Sequence, residues 1–138
     1  MQKGQISIDL LFTLLAVVLI AISLNNLTQY TYKTHDNISI QTQLDLENER
    51  ITNLITQTNM IDDLNYKIIT QLKKINYLNE ENKSETTYPT AIIQENKLIL
   101  SIEKEEKTIQ SIKTFSKNDN TKINFLEEEI KKIVITHE

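Results

Sequence analysis

The chain has 138 residues and a formal charge of −4, from 19 acidic against 15 basic side chains. Its lack of cysteine and its single glycine and single proline exclude a disulfide scaffold, a thiolate metal centre, a thiol nucleophile and a glycine-rich phosphate loop. Phosphate contacts need concentrated positive charge, so this acidic balance argues against nucleic acid as a partner.

The first element is apolar. Leu10 to Leu24 reads LLFTLLAVVLIAISL, a stretch with no charge and only Thr13 and Ser23 as polar members. As a helix it covers about 22 Å, and Ile6 to Leu27 covers about 33 Å, against a hydrocarbon layer of roughly 30 Å. Nearly everything after Asn25 is polar. A cleaved secretory signal carries small residues just after its apolar core. Here Asn25, Asn26, Leu27, Thr28 and Gln29 follow it, and the one glycine, Gly4, stands before it.

The segment Lys3-Gly4-Gln5-Ile6-Ser7-Ile8-Asp9, running straight into the apolar stretch, resembles the class III signal peptide of archaeal type IV pilin-like proteins. The resemblance covers about the first 27 residues. In that family a prepilin peptidase removes a short basic leader on the cytoplasmic side and leaves the helix on the mature protein. One subgroup has Gln at the new first position, Ser at the third and Glu at the fifth, with leucine some four residues on. Gln5, Ser7 and Asp9 occupy those places, with Asp for Glu, and Thr13 stands where leucine is expected, ahead of Leu14. The resemblance implies cleavage between Gly4 and Gln5, with Lys3, Ser7 and Asp9 as the processing motif. It further implies that Asp9 neutralises the α-amine of Gln5 on a neighbouring subunit in the filament core, where an unpaired charge is expensive. An acid at position 9 also has a plainer reading, as a cap at a helix N-terminus. The implied partners are other pilin subunits, the peptidase, an assembly ATPase, a membrane platform and, before assembly, membrane lipid. Lys3 ahead of the helix, with nearly balanced charge after it, places the N-terminus inside the cytoplasmic membrane and the polar body outside.

Farther along, Leu54, Ile61, Leu64, Ile68, Leu72 and Ile75 fall on one face at 100° per residue. This spacing predicts a second long amphipathic helix, with Asp45 as its N-cap and Asn79 or Asn82 as its end. The segment between Tyr30 and Gln43 is open to strand, loop or continuing helix. Pro89 breaks the pattern. Thr90–Gln94 and Lys97–Ile102 read as strands about a Glu95-Asn96 turn, Lys107–Phe115 is open to strand or helix, and Lys117–Asn120 reads as a turn. Lys122–Phe125 reads as a third strand, and Leu126, Ile130, Ile133 and Val134 fit a short end helix. The expected class is α+β: a leader (1–4), a hydrophobic N-terminal helix (5–33) and an extracellular polar domain (34–138) with a second long helix and a small antiparallel sheet.

Candidate chemistry is sparse. His35 and His137 have no acid or hydroxyl partner at a motif spacing, and the Glu127-Glu128-Glu129 run beside Lys131 and Lys132 reads as a solvated face. No catalytic, cofactor or metal residues are expected, and the chain does not read as an enzyme. Asn26, Asn37 and Asn82 begin N-x-Ser/Thr sequons. Asn37 and Asn82 are the candidate acceptors, since Asn26 lies close to the apolar core. The expected function is a major or minor pilin of an archaeal type IV pilus-like filament, with its body free for adhesion. The alternative is an uncleaved, signal-anchored membrane protein with an extracellular helical interaction domain.

Overall fold

The computed structural model describes residues 2–60, 66–79, 81, 83–104, 107–116, 121–126 and 132–137. Among these residues one helix, α1 (Gln2–Asn59), precedes eight strands: β1 (Tyr66–Gln71), β2 (Ile75–Leu78), β3 (Ser84–Thr87), β4 (Thr90–Gln94), β5 (Lys97–Lys104), β6 (Lys107–Thr114), β7 (Thr121–Leu126) and β8 (Lys132–His137). The chain divides into two units, Met1–Asp36 and Asn37–Glu138. The α+β class, with an apolar N-terminal helix and antiparallel strands after it, is the architecture found.

In the C-terminal unit the last turns of α1 bury Ile40, Leu44, Ile51 and Ile55, a four-seven-four spacing that keeps them on one face. They form a core with Leu72, Ile75, Leu98, Leu100, Ile102, Phe115, Ile133 and Ile135. All pairing is antiparallel, in the orders β1-β8-β7, β2-β3 and β4-β5-β6. Alternation along β5 is clean: Leu98, Leu100 and Ile102 point inward, and Ile99 and Ser101 point outward. Asn48 sits fully buried in the middle of the helical face. Its Nδ2 donates to the carbonyls of Leu98 (3.1 Å) and Ser111 (2.9 Å) and to Ser111 Oγ (3.1 Å), fastening α1 to β5 and β6.

Three expectations are corrected. First, no separate helix starts at Asp45: residues 45–59 are the end of α1, and the open segment from Tyr30 to Gln43 is helix as well. Second, the helix does not continue to Asn79. Thr58 turns its hydroxyl back to the Ile55 carbonyl (2.6 Å), Asn59 spends its amide on the Ser116 carbonyl, and Met60 N–H closes a tight final turn on Gln57. Ile68 lies on β1, Leu72 follows it and Ile75 opens β2. The four-residue step from Ile68 to Leu72 fits a period of two as well as a helical one. Burial does alternate, with Ile68, Thr70 and Leu72 inward and Lys67, Ile69 and Gln71 exposed. The β-branched run Ile68-Ile69-Thr70 favours the strand. Third, Ile133 and Val134 belong to β8 and Leu126 to β7. Strand β8 pairs with β1 along one edge and β7 along the other, and Ile133, Val134 and Ile135 are all buried, so the alternation that marks strands in a sequence is missing here. Ile61, Leu64, Asn82, Lys117–Asn120, Glu127–Glu129 and Ile130 lie outside the described residues.

Other strand expectations hold. Thr90–Gln94 and Lys97–Ile102 lie on β4 and β5 about the Glu95-Asn96 turn, and Lys122–Phe125 lies within β7. The open segment from Lys107 is strand β6. Glu95 has φ 53°, a left-handed conformation in which its Cβ crowds the backbone. Glu95→Gly is therefore expected to stabilise the C-terminal unit by about 1 kcal/mol, read as a higher urea midpoint.

Candidate membrane and assembly helix

The N-terminal unit is helical from Gln2, and from Leu10 to Leu24 its sequence makes it apolar on every side. Every large hydrophobic side chain from Ile8 to Leu27 is exposed, from Val18 at 46% to Leu10 at 70%. Each leaves on the order of 100 Å² of carbon surface uncovered, worth about 2.5 kcal/mol on removal from water. A helix that is hydrophobic all round belongs in hydrocarbon or among other helices, and this one is long and apolar enough to cross a membrane.

Its hydroxyls are disposed to suit. Thr13, Ser23, Thr28, Thr31 and Thr34 each donate to the carbonyl four residues earlier, at 2.8–2.9 Å. Every serine and threonine from Thr13 to Thr34 thus satisfies its donor within the helix, which lowers the cost of entering an apolar phase. No charged side chain occurs between Asp9 and Lys33. Tyr30 and Tyr32, both exposed, fall just beyond the apolar stretch, where rings with a polar tip favour a membrane interface.

The residues that the resemblance makes a processing motif all lie on α1. Lys3, Gly4, Gln5 and Ser7 are in its first two turns, and Asp9 follows exposed. Positions 5 and 9 stand one turn apart. The first turn of α1 holds no acid, and Asp9 lies beyond the reach of the helix-end field, which fades after one turn. The capping reading of Asp9 is thereby set aside for the intact chain. Gly4 occupies the first turn of α1, where helices fray most readily. Of the candidate glycosylation sites, Asn37 is half-buried on α1 and Asn82 lies outside the described residues.

A second cluster, not foreseen from sequence, lies within the C-terminal unit. Three residues at four-three spacing on α1 face the chain from Gln71 to Asn76. Gln43 donates to the Asn76 carbonyl and accepts from its N–H, both at 2.9 Å. Glu47 accepts from the Lys73 N–H at 2.9 Å. Arg50 donates to Glu47 through Nε (2.9 Å) and Nη2 (2.6 Å), to Thr70 Oγ1 (2.9 Å) and to the Gln71 carbonyl (2.8 Å). The helix thus supplies with side chains the hydrogen bonds that a neighbouring strand would supply with backbone. Burial alone would push the Glu47 carboxyl up, but the Arg50 hydrogen bond, the Lys73 N–H and the charges of both residues hold it below the ordinary value of 4.5. The same hydrogen bond raises the Arg50 guanidinium. Leu46, Lys73, Lys74 and Ile75 complete a shallow groove here, with the Lys74 ammonium 5.3 Å from the Tyr88 ring centre. The i, i+4, i+7 spacing of Gln43, Glu47 and Arg50 is visible in the sequence, but their partners are 20 to 33 residues away in the chain.

Among the described residues, no three metal-ligating side chains converge. Compared with known protein families, curated proteins and solved structures, the chain matches none.

Proposed function

We propose that the chain is a structural subunit of an archaeal type IV pilus-like surface filament, cut between Gly4 and Gln5 and then packed with other copies through its N-terminal helix. The observation that carries this reading is the apolar helix, uncovered on every side, directly after the Lys3-Gly4-Gln5-x-Ser7-x-Asp9 motif. A plain anchor requires the helix but gives no reason for an acid one turn from the new N-terminus. In the filament core, Asp9 meets the Gln5 α-amine of a neighbouring copy, and the low dielectric makes that pairing strong. Lipid covers the helix before assembly and other helices cover it afterwards. The prepilin peptidase, assembly ATPase and membrane platform are the partners of this pathway, and the C-terminal unit is the part displayed outside the cell.

Mass spectrometry of the native chain tests the proposal: a mature N-terminus at Gln5 supports it, and an intact leader on the membrane-bound protein defeats it in favour of an uncleaved anchor. Asp9→Ala is expected to be processed normally yet to lose most filament yield, scored by electron microscopy of sheared surface material. Wild-type filament numbers from that variant would remove the proposed role of Asp9.

A further inference from the structure

Open sheet edges attract other strands, and proteins guard them with charge, proline or a covering side chain. Among the described residues each edge strand but one has such a guard. Lys67 lies on β1, Glu85 on β3, Lys107 and Lys113 on β6, and Lys122 on β7. Strand β2 is uncharged, but Gln43 engages both the N–H and the carbonyl of Asn76. The exception is β4, Thr-Ala-Ile-Ile-Gln, which ends the β4-β5-β6 sheet without a charge. Its outer face continues an isoleucine row across the sheet, because Ile92 pairs with Ile99 and Ile99 with Ile112. Ile92 and Ile112 are 45% and 50% exposed. On the inner face, Ala91 and Ile93 are only partly covered at the margin of the core.

We propose that two copies of this chain join through β4, antiparallel, with Ile92 on the two-fold axis. The sequence of the strand is self-complementary in that register: Ile92 meets Ile92 of the second copy, Ala91 meets Ile93, and Thr90 meets Gln94. Moving the centre to Ala91 or Ile93 sets Ile92 against Thr90 or Gln94, so apolar cross-strand pairing favours the Ile92 register. The pairing merges two three-stranded sheets into one of six strands and doubles the isoleucine row. It also covers Ala91 and Ile93 with their counterparts. Pro89, lacking an N–H, and the left-handed Glu95 bound the ladder at its two ends. A contact of five residues per copy buries far less than the roughly 1,200 Å² of a stable interface. The pair is therefore weak in free solution and forms where copies are held close together, as on a membrane or between neighbouring filaments. It depends on the C-terminal unit and not on leader cleavage.

The absence of native cysteine makes the test direct. Ile92→Cys and Ile112→Cys are prepared in the full chain and oxidised in lipid bilayers at equal density. Across an antiparallel pair, facing Cα atoms lie about 4.5–5.5 Å apart, within disulfide reach. Two copies of position 112 stand five strand spacings apart, about 24 Å, and are out of reach. The Ile92→Cys chain is expected to form the dimeric disulfide at least about tenfold faster than the Ile112→Cys chain. Adding Gln94→Lys and Thr90→Lys to the Ile92→Cys chain, which sets like charges face to face, is expected to remove that advantage. Equal rates at the two positions, or an advantage that survives the lysines, would overturn the proposal. Mass measurement of the N-terminus in the same samples reports separately on processing.

Discussion

Lysine at both Leu15 and Leu19 is expected to move the chain from the membrane fraction to the soluble one. The two positions are one turn apart in the middle of the apolar stretch, and both are more than half exposed. A lysine at the centre of a spanning helix costs about 3 kcal/mol, roughly a hundredfold in partition for each site. Long side chains snorkel toward the interface when they lie near a helix end, but these two are the worst placed to do so. Leu46, at 64% exposure on the same helix but in the C-terminal unit, provides the control, because Leu46→Lys is expected to leave partition unchanged. Carbonate extraction followed by immunoblotting reads the result. A double variant that stays with the membrane would show that residues 8–27 do not hold the chain there.

The second large effect is expected at Glu47. Alanine there removes the acceptor for Arg50 Nε and Nη2 and for the Lys73 N–H in one step. Glu47 is only 4% exposed, while the Arg50 side chain keeps 29% of its surface in solvent, so part of the guanidinium charge is recovered by water. The loss is therefore set below that of a fully buried pair, at about 2–3 kcal/mol, and appears as a lower urea midpoint with an unchanged slope. Glu47→Gln keeps one acceptor and is expected to lose less. Acid produces the Glu47→Gln loss in the wild-type protein. The folded-state pKa of Glu47 lies below the unfolded value, so its contribution is present above about pH 4.5 and disappears as pH falls through the folded value. The stability gap between wild type and Glu47→Gln should therefore close on acidification. A gap that stays constant from pH 6 to pH 3 would mean that the carboxylate charge is not what holds Lys73.

Local signals in the sequence identified the parts of this fold that local chemistry determines. Leu10 to Leu24 could be read because nothing in the chain competes with a continuous apolar run. β4 and β5 could be read because alternation and the Glu95-Asn96 turn coincide. The helix end at Asn59 could not, because the apolar spacing through Ile68, Leu72 and Ile75 satisfies two periods at once and only the pairing of β1 with the distant β8 decides between them. For the same reason Ile133 and Val134 fit a helix on spacing alone: consecutive buried residues show no period of two, and the strand is declared only by its pairing with β1 and β7. The buried Asn48 and the Gln43, Glu47 and Arg50 set look like polar residues on a polar stretch, since their meaning lies in carbonyls and amides far along the chain.

The lateral bonding of α1 to residues 71–76 also has a mechanical side. A pull on the C-terminal unit at Asn37 is carried along its helix. Gln43, Glu47 and Arg50 resist it crosswise over two turns, and Asn48 resists it through its bonds to β5 and β6. These attachments are loaded together and must slide as a group, so the unit bears a pull better than its small size suggests.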